Sequence, residues 1–290
     1  MFLIQKVEEL IVTYNDGRKS IGEFILTNFS TIQNYSIDEI AKKTRTSKAS
    51  IVRFAKTLGY EGWKDLKRDL IREQKVNFDL DFNYPFQEGD DVQDIAKKLA
   101  NVQTESIMDT FSHLDLETMM DCTDHILNAK KIIMFGVAPN TSIAQLFQRK
   151  MLSIGKVVEI ADFREMGMNA KLMNENDFAI IISYSGNNAA SEPVNIVSIL
   201  NRNNVPILAI TSGGDNYLRM HTDFVLTLCS RERLYTKIAN FASEQSLLYV
   251  LNVLFACCFE RNYEENDRFK QQSARELEQS RLKNYHKDKE

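Results

Sequence analysis

Between Ser36 and Leu58 the chain reads SIDEIAKKTRTSKASIVRFAKTL, and its apolar positions recur at helical spacing in two blocks. Ile37, Ile40 and Ala41 fall on one face of a first helix, and Ile51, Val52, Phe54, Ala55 and Leu58 form the apolar side of a second. Ser36 with Glu39 three positions on is a capping-box start. The polar break Thr44–Arg45–Thr46 ends the first block, and Ser47 is placed to cap the second helix. Gly59 reads as its C-terminal stop. Trp63, Leu66 and Leu70 give a further amphipathic helix, and helices continue to about Gln74.

Periodicity then stops. Residues 76–90, VNFDLDFNYPFQEGD, alternate aromatic and acidic side chains around Pro85 and Gly89 and read as an interdomain linker. From Val92 the pattern changes. Two amphipathic helices, Val92 to Thr110 and Leu116 to Asn128, lead into alternating strands and helices. The expected strands are Lys131–Phe135, Val157–Ile160, Phe178–Ile182, Ile207–Ile210 and Phe224–Leu228. The expected helices are Thr141–Ser153, Ala189–Asn201, Asn216–Met220 and Phe241–Phe259. Short, continuous apolar strands between helices predict a doubly wound, mostly parallel sheet covered on both faces. The expected fold is therefore an all-α N-terminal helix-turn-helix domain, 1–75, followed by an α/β domain, 91–262, with its leading helices. A charged tail, 263–290, closes the chain.

Charge sharpens the division. The net charge of the chain is −4, yet residues 1–75 carry a balance of +4 and the remainder −8. Within 42–75 there are 11 basic against 4 acidic residues. A basic module on an acidic body fits an N-terminal nucleic-acid reader joined to a domain with another task. No apolar run approaches the roughly 20 residues a membrane helix needs. The first residues, MFLIQKVEELIVTY, carry Lys6, Glu8 and Glu9 and do not read as a secretory signal. A cytoplasmic protein with no membrane partner is expected. Cys122, Cys229, Cys257 and Cys258 lack C-x-x-C spacing and read as buried thiols. The four histidines show no metal-ligand spacing, so neither a metal nor a cofactor is called for.

The second helix of the Ser36–Leu58 block presents Lys48, Ser50, Arg53 and Lys56 outward, with only small Ala49 among them. A recognition helix needs such a surface, because its side chains must reach base edges while cations hold phosphates. Lys48, Ser50 and Arg53 are expected at bases or adjacent phosphates, Ser47 as the cap, and Lys56 on the DNA backbone. Lys42, Lys43 and Arg45 are expected at phosphates. Dimerisation would let two such modules meet a palindromic double-stranded site.

In a doubly wound sheet, ligands sit beyond the C-terminal ends of the strands. Three strand ends here carry small polar residues: Gly136 to Ser142, Ser183 to Asn188, and Thr211 to Gly214. Ser183, Ser185 and Asn188 can place donors around one point, and Gly186 permits close backbone approach. The helix expected after that loop would add free N–H groups. Together these make an anion cradle suited to phosphate. Ser183 and Ser185 lead the candidate contacts, followed by Asn188, Ser212, Asn140 and Thr141.

Two stretches carry a family resemblance. S-I-D-E-I-A and T-S-K-A-S-I-V-R-F-A-K-T-L-G-Y-E-G-W-K-D-L-K resemble the N-terminal domain of the RpiR/MurR bacterial transcriptional regulators. The matching positions include Ser47, Val52, Arg53, Phe54, Leu58, Gly59, Tyr60, Gly62, Trp63 and Lys67. I-I-S-Y-S-G-N-N and I-L-A-I-T-S resemble the SIS (sugar isomerase) fold over roughly 115–260, the domain that this family joins to its helix-turn-helix. The resemblance implies a DNA-binding regulator, not an enzyme, that senses a phosphorylated sugar, controls sugar-catabolism genes and forms a homodimer or higher homo-oligomer. The loops depart from the family pattern. Ala138 stands for the second glycine of G-x-G-x-S and Asn140 for its serine. Asn188 replaces the threonine of S-G-x-T, and Ala190 the acidic residue beyond it. The competing expectation is a sugar-phosphate isomerase, which needs a proton-transferring group; Glu244 and His221 are the candidates.

Overall fold

The computed structural model describes residues 3–76 and 80–287. Of the expected linker, residues 77–79 lie outside the described residues, as do 288–290 of the tail. The chain packs as two compact units, Met1–Asp109 with Cys229–Gln245, and Thr110–Leu228 with Ser246–Glu290.

The first unit is helical. It contains α1 (Leu3–Thr13), α2 (Gly17–Thr27), a 3-10 stretch (Phe29–Asn34), α3 (Ile37–Lys43), α4 (Lys48–Thr57), α5 (Trp63–Val76) and most of α6 (Val92–Ser112). Val7, Ile21, Ile25, Ile32, Ile40, Ile51, Phe54, Leu66 and Leu70 are fully buried in one cluster drawn from α1 to α5. Each such Ile, Leu or Phe contributes about 1.5–3 kcal/mol relative to exposure. Val52, expected on the apolar side of α4, is only half-buried. The α1 N-terminus is held by Glu73, whose carboxylate accepts from Leu3 N at 2.8 Å and Ile4 N at 3.2 Å. Burial pushes the Glu73 carboxyl above the usual carboxylate range, against these two hydrogen bonds.

The second unit is α/β. It follows the order α7 (Leu116–Asn128), β1 (Ile132–Gly136), α8 (Asn140–Leu152), β2 (Glu159–Ile160), α9 (Met166–Lys171), β3 (Phe178–Ile182) and α10 (Val197–Arg202). Then come β4 (Ile207–Ser212), α11 (Tyr217–His221), β5 (Phe224–Leu228), α12 (Ser243–Glu260) and α13 (Tyr263–Lys287). The sheet order is β2-β1-β3-β4-β5, with every pair parallel. Alternate strand residues enter two separate cores. Met134, Ile180, Ile182, Leu208 and Ile210 pack on one face; Ile133, Phe135, Ala179, Ile181 and Ala209 pack on the other. Both faces are covered, which is why the strands read as unbroken apolar runs.

Two local differences from the sequence reading stand out. The stretch between β2 and β3 forms a 3-10 turn (Phe163–Glu165) and α9, neither of which the periodicity announces. Six residues leave only Met166 and Ala170 as a buried pair, too short a signal. The helix expected from Ala189 opens only at Val197, after a single 3-10 turn at Val194–Ile196. Pro193 disfavours helical backbone at Glu192, and Asn188 takes the preceding residues into a turn through its bond from Ala190 N at 3.1 Å.

All four cysteines are free thiols. Burial pushes Cys122 up strongly and Cys258 up to about 12, so neither is a thiolate near neutral pH.

Candidate functional site

The α3–α4 pair is built as a helix-turn-helix by local chemistry. Ser36 Oγ accepts from Glu39 N at 3.2 Å while Glu39 Oε2 accepts from Ser36 N at 2.8 Å, a complete capping box. At the other end of α3, Thr46 N donates to Ala41 O at 2.9 Å and Arg45 N to Lys42 O at 3.4 Å. This is a Schellman stop with Arg45 in the left-handed region, φ 53°. Ser47 then caps α4 by accepting from Ser50 N at 3.1 Å. Gly59, φ 88°, supplies the matching stop, with Tyr60 N donating to Ala55 O at 3.0 Å.

The expected DNA-contacting side chains are accessible. Lys42, Lys43, Arg45, Ser47, Lys48, Arg53 and Lys56 are exposed, and Ser50 is half-buried. A chain of hydrogen bonds runs along α4: Ser47 Oγ to Ser50 Oγ at 2.9 Å, and Arg53 Nη2 donating to Ser50 Oγ at 3.1 Å. Arg53 therefore leans on its own helix rather than bracing a neighbour. Lys48 is paired with Asp38 of α3 at 2.6 Å, with both side chains well exposed. Such a pair is worth little and yields readily to a phosphate.

Sequence reasoning missed what lies beside α4. A cleft of about 700 Å³ is lined by Ser50, Arg53, Lys56 and Thr57 together with Asp16, Gly17 and Arg18 at the start of α2. Arg18 stacks 3.4 Å from the Tyr14 ring centre and pairs with Asp16 at 2.6 Å. The hydrogen bonds from Arg18 hold the Asp16 carboxyl down at about 2. The N-D-G-R run was the available signal, a turn and cap ahead of α2. Lys67, matched in the family motif, is structural: its Nζ donates to Gln33 O at 2.9 Å and Tyr35 O at 2.7 Å.

The Arg45 backbone gives a clean test of what that residue does. A non-glycine residue in the left-handed region costs about 1–2 kcal/mol. Arg45→Gly is expected to raise the unfolding free energy by about 1 kcal/mol while weakening DNA binding. Denaturant melts and a DNA titration on the same sample check both signs.

In the second unit, β1 feeds β2 on one side and β3 lies on the other, so the β1/β3 boundary is the topological switch point where doubly wound sheets bind ligands. Gly136 pairs with Ile182, and Ile182 with Ile210, so the loops after β1, β3 and β4 leave the sheet at one level. This brings Asn140, Thr141, Ser183, Ser185 and Ser212 to the same end. The loops after β3 and β4 are tied together. Tyr184 O accepts from Ser212 N at 3.0 Å and from Thr211 Oγ1 at 3.2 Å, and Gly186 O accepts from Leu218 N at 3.1 Å. Asn216, which the sequence reading used only as the start of a helix, is the buried knot. Its Nδ2 donates to Thr211 Oγ1 and Ser212 O, both at 3.2 Å, and its Oδ1 caps α11 through Arg219 N at 3.0 Å.

Against this frame the polar groups separate into used and unused. Ser183 Oγ accepts from Gly186 N at 3.3 Å. Asn188 is exposed and spends its side-chain oxygen on Ala190 N, leaving its amide hydrogens as donors. Ser212 Oγ is buried with no hydrogen-bond partner among the described residues. No α-helix starts directly after the β3 loop, so the free N–H groups expected there are absent. α8 begins at Asn140 with no side-chain cap, its Asn140 and Ser142 N–H groups donating to Val137 O and Pro139 O, whereas α11 is capped by Asn216. An uncapped helix start at the switch point carries partial positive charge.

The two isomerase candidates lie on different elements. His221 lies three residues before β5, at the edge where strands begin, with Nδ1 2.8 Å from Tyr217 O and its ring stacked on Tyr217. Glu244 sits in the first turn of α12, within the other compact unit. Among the described residues, no group of three His, Cys, Asp or Glu side chains can hold a metal ion. No helix of the described residues is long and apolar enough to cross a membrane.

Comparison with known proteins agrees with this two-part build. Residues 1–76 match the model of the helix-turn-helix domain of the rpiR family, and residues 125–256 match the SIS domain model. An uncharacterized HTH-type transcriptional regulator of Clostridium perfringens is 27% identical over 258 residues, covering 88% of this chain and 91% of that protein. The Vibrio vulnificus NanR protein, solved in complex with ManNAc-6P, shares the fold at a TM-score of 0.59 and 21% identity, covering 95% of this chain and 97% of its own. The sugar isomerase domain of an RpiR transcription factor from Sphaerobacter thermophilus aligns at a TM-score of 0.54 and 16% identity, covering 62% of this chain and 98% of its own. With both domain models matched in this order on one chain, the protein belongs to the rpiR family of helix-turn-helix transcriptional regulators that carry a SIS domain.

Proposed function

We propose that this regulator is switched by a phosphorylated sugar bound at the β1/β3 switch point, and that it controls genes of sugar catabolism from a palindromic operator. The observation that carries the reading is the buried Ser212 Oγ, without a hydrogen-bond partner among the described residues, at the same end of the sheet as the start of α8. A buried hydroxyl without a partner costs about 1–3 kcal/mol, which an anion ligand would offset. Ser183, Ser185, Asn188, Asn140 and Thr141 supply the remaining donors. The NanR complex makes N-acetylmannosamine 6-phosphate the first compound to try. Exposed Phe163, Met168 and Leu172 on and beside α9 support a homo-oligomer that would present two recognition helices to DNA.

The test is thermal stability with phosphorylated and unphosphorylated sugar pairs. A sugar phosphate at about 100 times its Kd adds roughly 2.7 kcal/mol of stability. Ser185→Ala and Ser212→Ala are expected to remove most of that shift. An equal response to the unphosphorylated sugar, or an unchanged shift in both variants, would sink the phosphate site. Rapid turnover of the same compounds without specific DNA binding would favour the isomerase reading instead.

A further inference from the structure

The link between β5 and α12 is unlike an ordinary surface loop. It starts at Cys229, one residue beyond Leu228, the register partner of Ser212. It ends at Ala242, where α12 begins. A single hydroxyl joins its two ends: Ser106 Oγ of α6 donates to Cys229 O at 3.3 Å or Ala242 O at 2.7 Å. Glu232, 1% exposed, closes it from within. Its carboxylate accepts from Ala242 N, from Ser243 Oγ at 2.7 Å, and pairs with Lys237 at 3.3 Å. Arg231 adds a two-pronged pair with Asp109 of α6, at 2.9 and 3.0 Å. The strap is thus a braced body, not a slack connection.

Helix α1 of the DNA-binding region grips this body with two buried polar side chains. Gln5 is 0% and Glu8 1% exposed. Gln5 Nε2 donates to Ser230 O at 3.0 Å and also to Glu232 O. Glu8 accepts from Leu234 N, from Thr236 Oγ1 at 2.5 Å and from Thr236 N at 3.4 Å. Three positions apart, the two lie on one face of α1. The opposite face carries Leu3 and Val7, with Ile4 at its margin, into the core that holds Ile51 and Phe54 of the recognition helix. A helix serving DNA binding alone has no need of a buried carboxylate. Here the carboxylate is satisfied by strap backbone and hydroxyl donors, so moving the strap exposes or strands it.

We propose that the Cys229–Ala242 strap is the relay between effector and DNA, and that its polar dock on Gln5 and Glu8 is the joint through which occupancy beside Ser212 biases the recognition helix. The proposal rests on the effector site proposed above. A ligand that prefers one position of the strap changes the population of the docked state, and operator affinity follows by linkage.

The experiment uses the full chain and a duplex selected by the wild-type protein from a randomised pool. DNA affinity is measured with and without N-acetylmannosamine 6-phosphate and each of a set of other hexose and amino-sugar 6-phosphates. Direct sugar-phosphate binding is measured in parallel. Wild type is expected to change its DNA affinity tenfold or more with at least one compound. Glu8→Gln and the milder Thr236→Val, at an exposed position where only a hydroxyl donor is lost, are expected to keep each separate affinity within threefold. Their sugar-phosphate effect on DNA binding should shrink below threefold. If Glu8→Gln does not fold, Thr236→Val decides by the same criterion. Folded variants that retain the wild-type effect overturn the relay while leaving the effector site standing. Failure of every sugar phosphate to bind wild type overturns both.

Discussion

Gly186→Ala is expected to lower the stability of the α/β unit by about 3–5 kcal/mol, near the upper end for a single substitution, and to abolish any sugar-phosphate response. A Cβ at this position would stand 2.6 Å from Thr211 Oγ1 and 2.8 Å from Asn216 Oδ1. Real side chains do not approach so closely, and the neighbours cannot retreat. Thr211 and Asn216 are buried, and Asn216 both joins the β4 loop and caps α11. The backbone adds its own penalty, since φ is 63° and L-residues there cost about 1–2 kcal/mol. At roughly 2–4 °C per kcal/mol for a unit of this size, the melting temperature should fall by roughly 10 °C. Gly167, inside α9, is the control in the same unit. Nothing lies within 4 Å of its added Cβ, and alanine in a helix is favoured over glycine by about 0.5–1 kcal/mol. Opposite signs at the two glycines, read by calorimetry, would establish that the β3 loop is built around close backbone approach. Equal, small effects would refute the geometry given for it.

Binding of the full chain to its operator should fall by about four orders of magnitude between 50 and 200 mM salt if the chain binds as a dimer. If Lys42, Lys43, Arg45 and Lys56 each meet a phosphate, every protomer neutralises four. Each neutralised phosphate contributes about −0.9 to the slope of log K against log salt, so two protomers give a slope of roughly −7. Lys43→Ala is expected to weaken all sequences alike and flatten the slope by about 1 per protomer. Arg53→Ala is expected to cost about 1–3 kcal/mol on the preferred site, relax specificity there and leave the slope nearly unchanged. Among the described residues its guanidinium bonds to Ser50 of its own helix, and the residue is exposed, so the fold should survive the change. Titrations at four salt concentrations with specific and scrambled duplexes separate the two behaviours. An unchanged specific affinity in a folded Arg53→Ala protein would remove Arg53 from base readout.

The amino-acid sequence by itself determined the elements whose signals are local. Ser36 with Glu39, Ser47 and Gly59 set the ends of α3 and α4 because caps act within four residues. The apolar runs at 178–182 and 207–210 announced buried parallel strands because both sheet faces are covered. Matching residue types at matching spacing sufficed for the family. What only the tertiary structure decided is set by residues far apart in the chain. Arg18 became a wall of the cleft along α4 because α2 packs beside α4. The helix expected from Ala189 starts only at Val197, because Pro193 and Asn188 hold 188–193 in turns. Asn216 emerged as the knot of two loops, and Gln5 and Glu8 as the dock of a strap more than 220 positions away. A buried Gln or Glu on an amphipathic helix looks like any solvated residue in sequence. Its role depends on which distant backbone groups arrive to satisfy it, and that is a property of the folded chain alone.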